Sequence, residues 1–228
     1  FNDFYGVIKM PKGVLVGLIC QFSIMPFLGF SLATIFNFPS EIAAGVVLIG
    51  SSPSGLASNV MAYLAKANVA LSVTLTAVAT IVSPLMTPLL MKYFAGAFVP
   101  IDFVAMLLSI VKMVILPVFL GLVFNHFFQG KAKWLDNAMP ILSMSAIALI
   151  IMIITAAGRD SLLSIGILLI LAAIIHNLLG YLLGYWSCRV LKMKEHDCRT
   201  IALEVGMQNG GLASGIALEM GKVSTVGL

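Results

Sequence analysis

The chain has 228 residues, of which 61% are hydrophobic and only 10% are charged, and its mean hydropathy is +1.09. Soluble proteins carry charge on roughly 25% of their residues, so this composition excludes a soluble globular domain. It also excludes a disordered chain, which would combine low hydrophobicity with high net charge. The net charge of +4 does not indicate nucleic-acid binding, because the Lys and Arg residues form no basic stripe interleaved with aromatic residues.

Uncharged stretches along the chain predict seven membrane-spanning helices. Five stretches without Asp, Glu, Lys or Arg are at least 22 residues long, and roughly 20 apolar residues cross the hydrocarbon core of a bilayer. A sixth span requires Lys112 to lie within the membrane, and a seventh, glycine-rich span contains Glu204. We therefore predict an all-α polytopic membrane protein with spans at about 12–37, 40–65, 68–93, 101–128, 133–157, 161–190 and 199–220.

The positive charges predict how these spans are oriented. If the first loop is cytoplasmic, nine Lys and Arg residues lie inside and three outside. Since cytoplasmic loops carry the excess of Lys and Arg, residues 1–12 are expected on the cytoplasmic side of the cell membrane. Membrane lipid is then a partner, and the sequence does not indicate an oligomeric state.

An internal repeat links the second and seventh predicted spans. The tetrapeptide Gly-Leu-Ala-Ser occurs at 55–58 and again at 211–214, an offset of 156 residues. The same offset aligns Gln21 in the first span with Asn177 in the sixth. Spans two and seven are five apart and therefore cross the membrane in opposite directions. Inverted repeats of this kind are typical of secondary transporters.

Both copies of the repeat lie in segments that favour a break in the helix. Pro53 lacks an N–H and Gly55 tolerates unusual dihedral angles. The second segment, 204–211, contains three glycines beside Glu, Gln and Asn. Kinked helices that pack tightly through small residues are one interpretation. Broken backbone at membrane depth also accompanies binding sites, and the polar side chains in both segments favour a site.

Glu204 is the most costly residue to place at membrane depth. One interpretation is a protonated carboxyl group held by structural hydrogen bonds, and the other is a cation ligand. Ser72, Thr76 and Thr80 follow one another at four-residue intervals and lie on one face of the third span. Such hydroxyls often bond only to their own helix. Together with Ser58 and Asn59 they form an oxygen-rich set that suits a hard cation rather than zinc or copper.

Two other classes of function remain open at this point. An intramembrane serine hydrolase would use Ser214 with His176, but the flanking sequence lacks the usual Gly-x-Ser-Gly pattern and no oxyanion loop is visible. A channel would not need a repeat that alternates access, and a receptor would usually carry a soluble domain. We therefore expect a transporter, without catalytic residues.

Three motifs resemble those of the bile acid:sodium symporter family, in its bacterial form: residues 204–209, 58–61 and 83–88. The resemblance implies ten helices in two inverted five-helix repeats, with a core domain and a panel domain. It implies that 12–93 and 161–228 are core-type, that 101–157 is panel-type, and that the chain is one membrane domain. It also leads us to expect a fragment that begins after helix two and ends at the start of helix ten.

The resemblance further implies sodium-coupled symport of a small organic anion, such as a bile acid or a pantoate-like carboxylate, with two Na⁺ sites. The first site would comprise Ser58, Asn59, Ser72, Thr76 and Glu204. The second would comprise Gln21, Glu204, Gln208 and the backbone carbonyls of Val205 and Met207. The substrate would lie near Asn209 and Leu56, and Leu56 replaces a Thr that bacterial members often carry there.

Overall fold

The computed structural model describes residues 9–128 and 159–219, with seven further positions between 145 and 156. Within this part of the chain all regular structure is helical, apart from one isolated β-bridge. Short 3₁₀ and π segments lie at Ala95–Ala97 and Val111–Ile115. The α-helices are α1 (Pro11–Ile35), α2 (Ser40–Ser51), α3 (Ala57–Leu64), α4 (Val69–Phe94), α5 (Phe103–Ile110), α6 (Leu116–Phe128), α7 (Arg159–Val190), α8 (Glu195–Gly206) and α9 (Gly210–Glu219).

Four helical stretches in the described residues are long and apolar enough to cross a membrane: Pro11–Ile35, Val69–Ala97, Phe103–Gly121 and Gly166–Val190. These stretches correspond to predicted spans one, three, four and six. The prediction of an all-α polytopic membrane protein is therefore confirmed. The fifth predicted span, 133–157, lies almost entirely outside the described residues, and the division into core-type and panel-type helices stays a prediction.

Predicted spans two and seven are each divided into two helices. The first is helical as α2 and α3, with a non-helical segment at 52–56. The second is helical as α8 and α9, interrupted at 207–209. Pro53 cannot donate a helical hydrogen bond, and Gly55 donates its N–H outside its own helix, to Met207. Both predicted breaks are therefore present.

The helices around the two breaks repeat within one residue of the sequence offset of 156. Helices α2 and α8 have the same length, 12 residues, and their starts and ends differ by 155 residues. Each follows a long helix, α1 or α7, after a turn that contains a residue with positive φ, Asn37 or Lys192. The repeat seen in a tetrapeptide therefore extends to four helices.

Paired glycines bring the half-helices against their long neighbours. Gly50 in α2 and Gly206 in α8 are 156 residues apart. A Cβ atom at Gly50 would clash with the backbone carbonyl oxygen of Met25 in α1, and one at Gly206 would clash with the ring of Tyr181 in α7. The absence of side chains at these two positions lets both broken helices reach the centre of the structure.

Lys112 lies in the π-helical segment between α5 and α6, and its residue is exposed. The sequence left two positions open for this lysine, an internal pair or a watery cavity. The structure places it outside the packed core. No partner for its ammonium group is found among the described residues.

Candidate ion-binding site

The two interrupted helices meet at their breaks through their backbones. The N–H of Gly55 donates to the carbonyl oxygen of Met207 (3.0 Å), and the N–H of Asn209 donates to that of Pro53 (2.8 Å). Ser54 and Gln208 thereby form an antiparallel bridge. Backbone groups released by a broken helix must be satisfied within the protein. Each break satisfies part of the other, which fixes the two segments at one crossing point.

Glu204, in α8, is 2% exposed and accepts hydrogen bonds from four hydroxyl groups. Its Oε1 lies 2.6 Å from Ser58 Oγ and also accepts from Ser72. Its Oε2 lies 2.6 Å from Ser54 Oγ and 2.9 Å from Thr76 Oγ1. The hydroxyls come from the 52–56 segment, α3 and α4. A buried carboxyl group is costly unless it is paired or hydrogen-bonded, and here three separate elements supply its partners.

Around Glu204, the close oxygen–oxygen contacts outnumber the hydroxyl hydrogen atoms that could lie between the paired oxygens. Besides its contact with Glu204, Ser58 Oγ lies 2.7 Å from the carbonyl oxygen of Gly55. Ser72 Oγ and Thr76 Oγ1 also lie 2.8 Å and 3.2 Å from Asn59 Oδ1. Each hydroxyl has one proton to donate, so with Glu204 ionised and the Asn59 amide presenting its oxygen, three of these contacts bring two oxygens together without a hydrogen between them. Such a surplus of electron-rich oxygen suits a bound cation.

Gln21, in α1, contacts the segments at both breaks. Its Nε2 donates to the carbonyl oxygen of Ser52 (2.8 Å) and to Gln208 Oε1 (2.6 Å). Gln208 Nε2 in turn donates to the carbonyl oxygen of Val205 (2.7 Å). Gln21 Oε1 is buried and has no hydrogen-bond partner among the described residues. Gln21 therefore lies against Gln208, and among the described residues neither side chain forms a hydrogen bond with Glu204.

Two residues with contacts at or near the breaks were not among the predicted ligands. Ser54 donates to Glu204, and Thr87 Oγ1 donates to the carbonyl oxygen of Ser51, at the end of α2 (2.8 Å). The position of Ser54, between the helix-breaking residues Pro53 and Gly55, is a sequence signal that could have identified it. Thr87 lies within a motif that carried the family resemblance, but only the tertiary structure shows which carbonyl it contacts.

The two predicted substrate-side residues lie at the crossing but differ in their surroundings. Leu56 is 71% exposed. Asn209 is half-buried, and its Oδ1 accepts a hydrogen bond from the N–H of Leu212 (3.0 Å), which caps the start of α9. Asn209 therefore has a structural contact that the sequence did not reveal.

The proposed hydrolase pair is not supported. His176 Nε2 lies 2.9 Å from the carbonyl oxygen of Met25, so this nitrogen is engaged with backbone rather than with a serine. Ser214 is buried in α9. The described residues also contain no group of three or more His, Cys, Asp or Glu side chains placed to hold a metal ion. The oxygen cluster around Glu204 is accordingly the candidate site.

The model of the Sodium Bile acid symporter family matches residues 1–165. The chain belongs to this family. Its members in the comparison are transporters and not enzymes, so the hydrolase hypothesis is wrong. The matched residues include 58–61 and 83–88, and the family match confirms the resemblance drawn from the sequence.

Named relatives cover nearly the whole chain. The uncharacterized sodium-dependent transporter YocS of Bacillus subtilis is 40% identical over 95% of this chain and 67% of its own length. The probable chloroplastic sodium/metabolite cotransporter BASS1 of Arabidopsis thaliana is 34% identical over 96% and 54%. The human ileal sodium/bile acid cotransporter is 35% identical over 94% and 63%. The chain thus spans between about half and two thirds of the length of these relatives.

Proposed function

We propose that this protein is a secondary active transporter that couples the movement of Na⁺ to uptake of a small organic anion by alternating access. The observation that carries the proposal is the cluster of oxygens around buried Glu204, where contacts outnumber protons. The relatives named as sodium-dependent transporters and cotransporters support sodium as the coupling ion. The inverted relation of α1–α2 to α7–α8 supports a mechanism in which access alternates between the two sides.

The first proposed Na⁺ site lies between α3, α4 and α8. We assign it the side-chain oxygens of Ser58, Asn59, Ser72, Thr76 and Glu204. Hard cations prefer oxygen ligands, and these atoms already contact one another in the structure. On Na⁺ binding the hydroxyl protons would turn away from the ion, and the carboxylate would offset its charge.

The second proposed site lies on the other side of Glu204. Gln21 Nε2 now faces the oxygens of Ser52 and Gln208 at 2.8 Å and 2.6 Å. A half-turn of the Gln21 amide exchanges its nitrogen and oxygen, which brings the unpartnered Oε1 to the same two oxygens. These oxygens, with Glu204 and the carbonyls of Val205 and Met207, would then provide the ligands of a second Na⁺.

We place the substrate near the crossing, beside Asn209 and Leu56. Two relatives are named for metabolites and bile acids, and both a bile acid and a pantoate-like carboxylate fit the proposal. Leu56 provides an exposed apolar contact. Its replacement of a polar residue favours the smaller carboxylate over a bile acid.

Two Na⁺ per monovalent anion would provide adequate driving force. One net positive charge moving through 100 mV contributes about 2.3 kcal/mol. A tenfold Na⁺ gradient adds about 1.4 kcal/mol for each ion. The total of about 5 kcal/mol would sustain an anion gradient between about 10³-fold and 10⁴-fold.

Sodium-driven uptake by the full-length protein tests the proposal. Proteoliposomes are given an inward Na⁺ gradient, and labelled bile acid and pantoate are screened as substrates. We expect uphill accumulation that collapses when choline replaces Na⁺. Downhill equilibration that is independent of Na⁺ would instead indicate a channel, and binding without transport would indicate a receptor.

A further inference from the structure

A cavity of about 400 Å³ opens at the end of the structure where α1 begins and α7 turns into α8. Small-molecule sites usually have volumes of about 300–1,000 Å³. This cavity is far along α8 from Glu204, since it contacts the first turn of that helix. It is therefore separate from the proposed sodium sites. The lysines that line it are Lys9, Lys12, Lys192 and Lys194.

The charge of the cavity is strongly positive. Asp197 is its single carboxylate among the described lining residues. That carboxylate is already engaged, because Asp197 Oδ1 accepts from Asn68 Nδ2 (2.8 Å) and lies 2.8 Å from His196 Nδ1. Among the described lining residues, four ammonium groups stand against one carboxylate, a formal sum of +3 when His196 is counted as neutral. Such a cavity selects an anion.

The start of α1 adds a second, independent feature. Met10, which precedes the helix, and its first three residues, Pro11 to Gly13, line the cavity. No side chain caps this 25-residue helix and no acidic residue lies in its first turn. Uncapped N–H groups and the positive end of the helix dipole favour a bound anion. By contrast, the nearby start of α4 is capped by Asn68, and α8 has Glu195 and Asp197 in its first turn.

We propose that this cavity binds the phosphate group of an anionic phospholipid headgroup. The cavity lies at helix ends, on the side where the sequence predicts that Lys and Arg are concentrated, and we expect this end at the depth of the headgroups. Basic pockets between membrane helices on that side suit such headgroups, and lysine binds phosphate as a point charge. A free phosphate offers the same chemistry, so the experiment separates the two sources.

The cavity also reaches the elements that hold the Glu204 cluster. Asn68 lies at its edge, and its N–H donates to Thr200 Oγ1 in α8 (2.8 Å), while Thr200 Oγ1 donates to the carbonyl oxygen of Asn68 (3.1 Å). Ser72 follows Asn68 by one helical turn, and Glu204 follows Thr200 by one turn. A bound headgroup would therefore stabilise the junction between α4 and α8.

Thermal unfolding of the purified full-length protein in detergent tests the proposal. Dioctanoyl phosphatidylglycerol, dioctanoyl phosphatidylcholine and inorganic phosphate are titrated separately at constant ionic strength. We expect a saturable rise in Tm with phosphatidylglycerol and none with phosphatidylcholine. An equal rise with inorganic phosphate, with no further gain from phosphatidylglycerol, would overturn the lipid assignment and make free phosphate the ligand.

Lys192→Gln and Lys66→Gln form a matched pair of variants. Both lysines are exposed, both follow a helix end and both have positive φ, at 54° and 51°, but only Lys192 lines the cavity. We expect Lys192→Gln to weaken the apparent phosphatidylglycerol affinity about fivefold, which corresponds to about 1 kcal/mol per lysine. Lys192→Gln with Lys194→Gln should weaken it about 25-fold.

Lys66→Gln should leave the affinity unchanged. Equal affinities in Lys192→Gln and Lys66→Gln would refute the site, provided that both variants unfold at the wild-type Tm without lipid. Glu204→Gln should keep the full lipid response, whether or not it loses its response to Na⁺. The failure of this proposal is therefore distinguishable from the failure of the sodium proposal.

Discussion

The two interrupted helices are alike in backbone and different in chemistry. Helices α2 and α8 have equal lengths, matching glycines at 50 and 206, and breaks that bond to each other. The first break supplies hydroxyls from Ser54 and Ser58 and has no charged side chain, whereas the second supplies the carboxyl group of Glu204. The repeat therefore reproduces the backbone arrangement of the broken helices. The candidate site forms only where side chains from the two repeats meet.

The same asymmetry appears in the long helices. The offset of 156 aligns Gln21 with Asn177, but Gln21 is 3% exposed and contacts Gln208, while Asn177 is exposed. Symmetry of sequence position does not produce symmetry of environment. The polar contacts therefore lie on the Gln21 side of the crossing and not on the Asn177 side. The following variants test what each repeat contributes to the site.

Glu204→Gln should have the largest effect. In the proposed function both Na⁺ sites share this carboxylate, and at about 4 Å and an effective dielectric constant near 20 it would attract each Na⁺ by about 4 kcal/mol. Desolvation offsets about half, and the remaining 2 kcal/mol weakens binding about thirtyfold per ion. We expect sodium-coupled uptake by the full-length protein to be lost while the protein still folds and inserts. The Na⁺-dependent rise in Tm measures the effect.

Glu195→Gln is the control on the same helix. Glu195 lies nine residues before Glu204, or about 14 Å along α8, and is exposed. A hydrogen bond from Tyr185 holds the pKa of Glu195 below its usual value, so this change also removes one full negative charge. Its sodium response should equal that of the wild type. If Glu204→Gln retains that response as well, the assignment of Glu204 to sodium is wrong.

Gly50→Ala and Gly206→Ala compare the packing of α2 against α1 with the packing of α8 against α7. The new methyl group at position 50 meets the backbone of Met25, which cannot move without displacing α1, whereas at position 206 it meets the Tyr181 ring, which can turn. We expect Gly50→Ala to destabilise by about 1–3 kcal/mol and Gly206→Ala by less. Chemical unfolding in detergent measures the free energy of unfolding of both variants. A larger loss in Gly206→Ala than in Gly50→Ala would contradict the expected difference between the backbone contact and the ring contact.

Ser72→Ala tests the hydroxyl partners of the carboxyl group. Ser72 Oγ contacts both Glu204 and Asn59, whereas Ser83, equally buried in the same helix, bonds only to the carbonyl oxygen of Thr80 (2.7 Å). A bond to a charged group is worth about 1.5–3 kcal/mol, so we expect Ser72→Ala to weaken Na⁺ binding about tenfold. Ser83→Ala should leave the sodium titration unchanged. Equal titrations would remove Ser72 from the first site.

Asn209→Ala should have the smallest effect on stability. It removes the cap at the start of α9, which costs about 1 kcal/mol. If Asn209 also contacts substrate, the variant weakens substrate binding and largely retains sodium binding. Asn209→Ser keeps a capping oxygen and separates the two roles. Restored stability with impaired substrate binding supports the substrate contact, and full recovery of both limits Asn209 to capping.

Several features of the site could be predicted because local chemistry fixes them. Pro53 lacks the N–H of a helical hydrogen bond and Gly55, two residues later, tolerates non-helical dihedral angles, and a carboxyl group at membrane depth needs partners, so the breaks and the importance of Glu204 were predictable. Ser54 and Thr87 were not, since Ser and Thr hydroxyls usually bond to their own helix. Their contacts with Glu204 and Ser51 depend on distant segments. The cap that Asn209 provides at the start of α9 was also not predicted, because its place at the crossing favoured a substrate contact instead.

The sequence by itself determined that this protein is helical and lies in a membrane, because composition and the length of uncharged stretches depend on no tertiary contact. It also predicted where two spans are interrupted, and it showed that they share a repeated tetrapeptide. Only the tertiary structure decided that the two breaks bond to each other, that Glu204 gathers hydroxyls from three elements, and that four lysines surround one cavity. These arrangements join residues up to 187 positions apart, and such pairings follow from packing rather than from any local pattern.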